Sequence, residues 1–116
     1  MESHNDDIFT KIKLGLNKGL RVVNIRSKEA YDTLKVKNQI HAHKRKKGSE
    51  LRDLGEFVYK MFKTKDEFDA ESIKNKCTRA AKIEQEISDL EEELRLVHEN
   101  AGKELGKIKA ITKPDD

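Results

Sequence analysis

The chain has 116 residues, of which 41% are charged and 34% hydrophobic, and it contains four Phe, two Tyr and no Trp. Globular domains average about 25% charged and about 45–50% apolar residues, so this composition excludes a thick, rounded core and favours helices that each bury one narrow stripe. Residues 1–65 hold 16 Lys and Arg against 8 Asp and Glu, whereas residues 66–116 hold 9 against 14, so the first half is basic and the second acidic.

The sequence also bears on location. Cys77 is the single cysteine, which excludes an internal disulfide and is typical of a reducing compartment. The first nine residues are acidic and polar, where a secretory signal would be basic and then apolar. No run approaches the about 18 uncharged apolar residues that a membrane span needs. We therefore expect a cytoplasmic protein, with association with a membrane surface as the alternative.

The N-terminal segment predicts a flexible stretch over residues 1–7 and then a basic amphipathic helix over residues 8–37. At about 100° per residue, one arc of about 120° on this helix is apolar. The residues of this face are Ile8, Phe9, Ile12, Leu16, Leu20 and Val23. Such a face can lie on an anionic membrane, or it can pack on the second helix, on another copy of the chain or on a partner protein.

Residues 41–50 (HAHKRKKGSE) interrupt the apolar pattern and predict a thin, exposed polar interruption of the first arm, bent at Gly48. The alternative is a helix that continues through this segment with Lys44 and Lys47 at its seam positions. A candidate anion-binding cluster is formed here by Lys44, Arg45, Lys46 and Lys47. Such a cluster can bind nucleic-acid phosphates, but no aromatic residue lies within it for base stacking, so a solvated edge is the alternative. His41 and His43 are two residues apart and point in different directions on a helix, so no metal site is predicted.

Residues 51–62 predict a short apolar helix that ends the first arm. Its expected seam residues are Leu51, Leu54, Val58 and Met61. The polar segment 63–69 (KTKDEFD) then predicts a turn between antiparallel helices. Because this segment has neither Gly nor Pro, one continuous rod is the alternative. The hairpin is favoured because a rod would leave Phe57 and Phe62 uncovered.

Residues 70–107 predict an acidic coiled-coil helix with Asp69 as its N-cap. From Ile73 onward, a seven-residue frame places apolar residues at nine of eleven seam positions, which is typical of a coiled coil. Its central seam residues are Ile83, Ile87, Leu90, Leu94 and Val97. Gly102 and Gly106 each lower helix stability by about 1 kcal/mol relative to Ala, so we expect a frayed tail over residues 108–116.

The order of these features resembles a loose group of small uncharacterised bacterial helical-hairpin and coiled-coil proteins. After the basic start, the resemblance rests on residues 34–40 (LKVKNQI) and on the step Leu51-x-x-Leu54-Gly55-x-x-Val58-Tyr59. Some members of the group continue into a C-terminal zinc ribbon, for which this sequence, with one cysteine, lacks the ligands. The resemblance implies a helical hairpin and a bacterial cytoplasmic setting, and it implies no activity.

These expectations combine into an all-α fold: an elongated antiparallel helical hairpin or coiled coil with a basic amphipathic N-terminal helix. No phosphate-binding loop, nucleophile elbow or dinucleotide fingerprint occurs, so we expect a non-enzymatic coiled-coil interaction or scaffold protein without cofactor, metal or small-molecule substrate. A thin seam buries little surface, so we expect self-association or a protein partner. A peripheral membrane protein acting through residues 8–28 is the first alternative, and a nucleic-acid accessory protein acting through residues 44–47 is the second.

Overall fold

The computed structural model describes residues 2–65 and 67–112, and the burial of side chains over 7–65 and 67–110. Two α-helices, α1 (Glu2–Thr64) and α2 (Ala70–Thr112), account for nearly all of this part of the chain. The all-α helical hairpin expected from the sequence is confirmed. Over the described residues, neither helix carries a stretch sufficiently long and apolar to cross a membrane.

Helix α1 runs without a break through residues 41–50, so the expected interruption is wrong. The physical reason is local. Lys, Arg and Glu are good helix formers, Gly48 lowers helix stability by only about 1 kcal/mol, and Pro114 is the one proline of the sequence. A lapse in apolar residues therefore changes what α1 contacts without ending the helix.

Both helices also extend farther than predicted. Helix α1 begins at Glu2, so residues 2–7, for which the sequence predicts a flexible stretch, have helical backbone. Helix α2 continues through Gly102 and Gly106 to Thr112, so the fraying expected from residue 108 is wrong up to residue 112. Met1 and residues 113–116 lie outside the described residues, and those parts of the two predictions stay predictions.

The turn is shorter than the predicted segment 63–69, because α1 ends at Thr64. Lys65 then adopts a left-handed backbone conformation with φ 55°, which is a common way to end a helix. Asp69 caps α2: its Oδ1 accepts a hydrogen bond of 3.0 Å from the backbone N–H of Ser72, and its Oδ2 accepts one of 2.8 Å from the Ser72 hydroxyl. These two bonds, the backbone one first, lower the pKa of Asp69.

The chain divides into two compact units, of which the second, Lys35–Leu94, contains the turn and the adjoining parts of both helices. Its core is made by Val36, Ile40, Ile83 and Ile87, with Leu90 and Leu94 partly buried against them. All four core residues are less than a tenth exposed. Residues at the start of this part of α1 therefore meet residues late in this part of α2, so the arms are antiparallel.

The first unit combines α1 up to Leu34 with the C-terminal part of α2. Its apolar seam residues include Val22, Ile25, Val97, Ala101 and Ile108. Ile25 shares a groove with Ile108, whereas Lys28 shares one with Val97. Residue numbers fall along α2 as they rise along α1, so this pairing is antiparallel as well.

The seam of α1 in the second unit follows a frame different from the predicted one. After Val36 and Ile40, the residues that remain at least half-buried are His43, Lys47, Glu50, Leu54, Phe57 and Met61. Leu51 and Val58, which are 46% and 38% exposed, lie beside this seam, so their assignment to it is wrong. The reason is that the unbroken helix carries the frame of Val36 and Ile40 forward, with polar residues at three seam positions.

This register predicts unequal effects of two Leu→Ala substitutions on the same helix. Leu54→Ala should lower the free energy of unfolding by about 1.5 kcal/mol, roughly half of the value for a fully buried Leu, because Leu54 is half-buried. Leu51→Ala should change it by less than about 0.5 kcal/mol, because that side chain is already 46% exposed. Urea unfolding followed by far-UV circular dichroism measures both. Equal losses would contradict the register.

Candidate binding surface

A row of apolar side chains on the N-terminal part of α1 remains exposed. We call this row the outer stripe, and it consists of Ile8, Phe9, Ile12, Leu16, Leu20 and Val23. The exposed fractions range from 47% at Ile8 to 76% at Phe9. The stripe is the face that the sequence predicts as a membrane or partner surface, and no described residue covers it.

The outer stripe lies on the side of α1 away from α2. In this unit, α1 meets α2 through Ile25 and Glu29, both of which are half-buried. At about 100° per residue, that contact is centred roughly 140° around the helix from the centre of the stripe. Packing on the chain's own second helix, one of the alternatives for this face, is therefore not what the structure shows.

Basic residues accompany the outer stripe. Residues 8–28 contain six Lys and Arg and no Asp or Glu. By helical position, Lys13 lies at one edge of the stripe. Lys11, Arg21 and Lys28 are exposed farther around the helix. This part of α1 is thus apolar on one face and cationic overall, which is the combination that favours a negatively charged binding partner.

A second exposed apolar patch lies beside the turn in the other unit. We call it the tip patch, and it consists of Val58, Met61, Phe62 and Phe68. Together with Lys63 and Lys65 it lines an open groove of about 690 Å³. Phe62 is 81% exposed and Phe68 is 71% exposed. The hairpin therefore does not cover Phe62, contrary to the reasoning from the sequence, and Phe68 is a surface residue that this reasoning did not identify.

The predicted seam residues of α2 lie on one side of that helix. Ile83 and Ile87 are buried, and Leu90 and Leu94 are partly buried beside them. Val97 is half-buried and lines a cavity of about 160 Å³ that also borders Glu29. These side chains hold α1 and α2 together within each unit, so they are not free to bind another protein while the hairpin is intact.

A polar pair crosses the seam of the first unit. His98 Nδ1 lies 2.9 Å from Glu29 Oε2, and Arg26 donates a hydrogen bond of 3.0 Å to the other carboxylate oxygen of Glu29. The Glu29 side chain is only 15% exposed. The hydrogen bond from His98, and then the one from Arg26, lowers the pKa of Glu29 from its ordinary value of 4.5.

Polar pairs also cross the seam of the second unit. His43 Nδ1 lies 2.8 Å from the carbonyl oxygen of Gln39, and its Nε2 lies 3.2 Å from Glu86 Oε2. A neutral imidazole carries one N–H, so both contacts can be hydrogen bonds only when the ring is protonated. Lys47 Nζ lies 3.6 Å from Glu84 Oε1. Two seam positions of α1 are thus occupied by polar side chains that contact carboxylates of the acidic helix.

The basic cluster at residues 44–47 does not form one patch, because successive helical residues point about 100° apart. Lys47 is half-buried and pairs with Glu84. The exposed members of the cluster are Lys44, Arg45 and Lys46. Lys44 lines the same groove as Glu84, so a carboxylate also reduces the positive potential there. This arrangement gives little support to a nucleic-acid site at the cluster.

Sequence reasoning alone gave no role to Glu29, Glu86 or His98. A seven-residue frame could have identified the α1 members of two of these pairs. Counted seven residues backward and forward from Val36, the frame places Glu29 and His43 at seam positions. Their partners on α2 then follow from antiparallel pairing. Recognising them requires accepting polar residues as seam residues, which the apolar pattern by itself does not suggest.

Groups that could carry other chemistry are few. Within residues 2–65 and 67–112, no group of three or more His, Cys, Asp and Glu side chains is placed to hold a metal ion. Cys77 is exposed. The outer stripe and the tip patch, with the basic residues beside them, are therefore the candidate binding surfaces.

Comparisons of this chain with protein-family models, with curated proteins and with solved structures found no match. The resemblance to bacterial helical-hairpin proteins therefore stays a prediction.

The lowered pKa of Glu29 predicts an acid-dependent loss of stability. Above the unfolded-state pKa near 4.5, the ionised carboxylate keeps its bonds to His98 and Arg26, and its full stabilisation is present. As the pH falls through the lower folded-state pKa, the carboxylate is protonated and this stabilisation is lost. Melting temperatures measured between neutral pH and about pH 3 should therefore fall less steeply for Glu29→Gln than for the wild-type chain.

Glu93→Gln is the matched control, because Glu93 is an exposed carboxylate on α2. It should keep the wild-type dependence of the melting temperature on pH. A Glu29→Gln chain whose melting temperature falls as steeply as that of the wild type would show that the pair with His98 does not contribute to folding.

Proposed function

We propose that the protein is a non-enzymatic interaction protein whose hairpin presents the outer stripe of α1 to another macromolecular surface. One observation carries the proposal: six large apolar side chains, 47% to 76% exposed, form one row on the side of α1 away from α2. Contiguous exposed apolar surface of this kind is typical of a binding site. The chain also supports the proposal because α1 is one continuous helix through the stripe and into the part that pairs with α2.

A non-enzymatic role fits the way in which the ionisable seam residues are used. Glu29 pairs with His98, and His43 pairs with Glu86, in each case across two helices. A general acid or base needs a reactive group facing a site where substrate can bind. These groups face one another instead, so their chemistry serves helix pairing.

Self-association through the outer stripe is the less favoured form of this function. Two copies joined stripe to stripe would bring together two segments that each contain six Lys and Arg and no Asp or Glu over residues 8–28. Like charges at such an interface weaken association. The acidic helix α2 is no better partner in a second copy, because among its residues 70–110 the one large apolar side chain that is well exposed is Leu96.

The proposal predicts that the outer stripe determines the size of the particle in which the protein occurs. In extracts of the cells that make it, the wild-type chain should sediment with a larger assembly or with membranes. The double variant Leu16→Gln/Leu20→Gln should sediment as the purified chain does. Burying a Leu side chain contributes about 1.5–3 kcal/mol, so losing two should weaken binding at least a hundredfold. Immunodetection across a density gradient measures this.

The control Leu14→Gln/Leu96→Gln also removes two exposed Leu side chains, 57% and 41% exposed, but neither belongs to the outer stripe. It should sediment as the wild type does. Wild-type protein that sediments as the purified chain, or a control that loses the large particle to the same extent, would contradict the proposed function.

A further inference from the structure

We propose that the outer stripe binds an anionic membrane surface, with residues 8–23 of α1 lying in the plane of the lipid–water interface. The inference rests on the proposed function, because it names the surface that the stripe meets. Its chemistry is that of lipid headgroups carrying net negative charge over a hydrocarbon interior.

The shape of the stripe fits an interface. Its six side chains fall within an arc of about 120°, which lets one face of a helix sink below the headgroups while the rest stays hydrated. Phe9, at 76% exposure, stands nearly clear of the protein, and Leu16 and Leu20 follow at 64% and 62%. A flat lipid surface can contact such a row along its whole length, because it needs no side chains or pockets that match the row in shape.

The positive charge of this segment favours lipids whose headgroups carry net negative charge. Residues 8–28 contain six Lys and Arg and no Asp or Glu. Long basic side chains can place their stems along apolar surface and their charged ends among headgroups. Lys13 lies at the edge of the stripe, so its ammonium group would reach the headgroup layer, and the remaining basic residues add a longer-ranged attraction.

Access to the membrane requires no opening of the hairpin. Ile25 and Glu29 face α2, whereas Leu16 and Leu20 lie on the other side of α1. Lipid and α2 therefore do not compete for the same side chains. A second copy of this chain fits less well, because its own outer stripe is equally basic and the exposed side of its acidic helix is polar.

The absence of Trp from the sequence permits a direct test with single-Trp variants of the full-length chain. Phe9→Trp places the probe on the outer stripe. Leu14→Trp places it five residues later and about 140° around the helix, at a residue that is 57% exposed but outside the stripe. Each variant is titrated with vesicles of phosphatidylcholine alone and of an equimolar mixture with phosphatidylglycerol. With the mixed vesicles, the Phe9→Trp emission should shift to the blue, whereas the Leu14→Trp emission should stay at its position in water.

A co-sedimentation arm uses the same vesicles and the chain without Trp. Leu16→Gln should weaken binding to the mixed vesicles about tenfold, and Leu14→Gln should leave it unchanged. Added salt should weaken binding because it screens the attraction between lysines and headgroups. Circular dichroism of each variant checks that the helix content equals that of the wild type.

Four results would overturn the inference: no binding to mixed vesicles, equal binding to phosphatidylcholine alone, equal blue shifts of both probes, or equal losses from Leu16→Gln and Leu14→Gln. Binding that is lost with Phe62→Gln but kept with Leu16→Gln would also overturn it and would assign lipid contact to the tip patch. If vesicles do not bind while the stripe still determines the large particle in extracts, the membrane inference fails and the proposed function stands with a protein partner.

Discussion

A helix that pairs with one other helix can bury only one of its sides, and this constraint shapes the whole hairpin. Helix α2 has one apolar side, which includes Ile83, Ile87 and Ala101, and that side is buried. The N-terminal part of α1 has two apolar sides, because Val22 and Ile25 turn toward α2 while the outer stripe turns away. Pairing of the two helices therefore covers the apolar side of α2 but leaves the outer stripe of α1 exposed.

The seam itself is thin and partly polar, which limits how much it stabilises. Small residues, Ala80 and Ala101, occupy two of its buried positions on α2. The pairs of Glu29 with His98 and of His43 with Glu86 lie at partly exposed sites. Such pairs contribute little net stability where water reaches them. Their contribution is to register, because sliding one helix past the other within either unit would place Glu29 or His43 against apolar neighbours.

The sequence predicted α2 well because its two signals agree there. The seven-residue frame from Ile73 is apolar at nearly every step, and Asp69 has the side chain that an N-cap requires. The seam of α1 was harder to predict from the sequence. Helix α1 continues through His43 and Lys47 while its seam residues become polar. Apolar periodicity then stops marking the contact, so Leu51 and Val58 are assigned to the seam together with Leu54 and Met61, although only the latter two belong to it.

The outer stripe shows a different limit. Periodicity could identify Ile8–Val23 as one face, but it could not decide whether α2 would cover that face, since the choice depends on which of two apolar sides pairs better. The structure supplies the missing comparison: the side with Ile25 also carries Glu29, which His98 can bind, and the side with Leu16 offers α2 no charged partner. The contact of Glu29 with His98 is one reason for α1 to pair through its more polar side.

That choice has a consequence for the remaining surface. Glu29 is an acidic residue of α1 that faces the seam, where the hydrogen bond from His98 lowers its pKa. The segment over residues 8–28, which holds the outer stripe, contains no Asp or Glu at all. Glu29 is thus used in pairing, whereas the apolar area of the outer stripe and the positive charge of residues 8–28 remain together outside. A partner that is apolar beneath an anionic layer matches both remaining properties at once, and the paired hairpin can meet it without giving up a contact with α2.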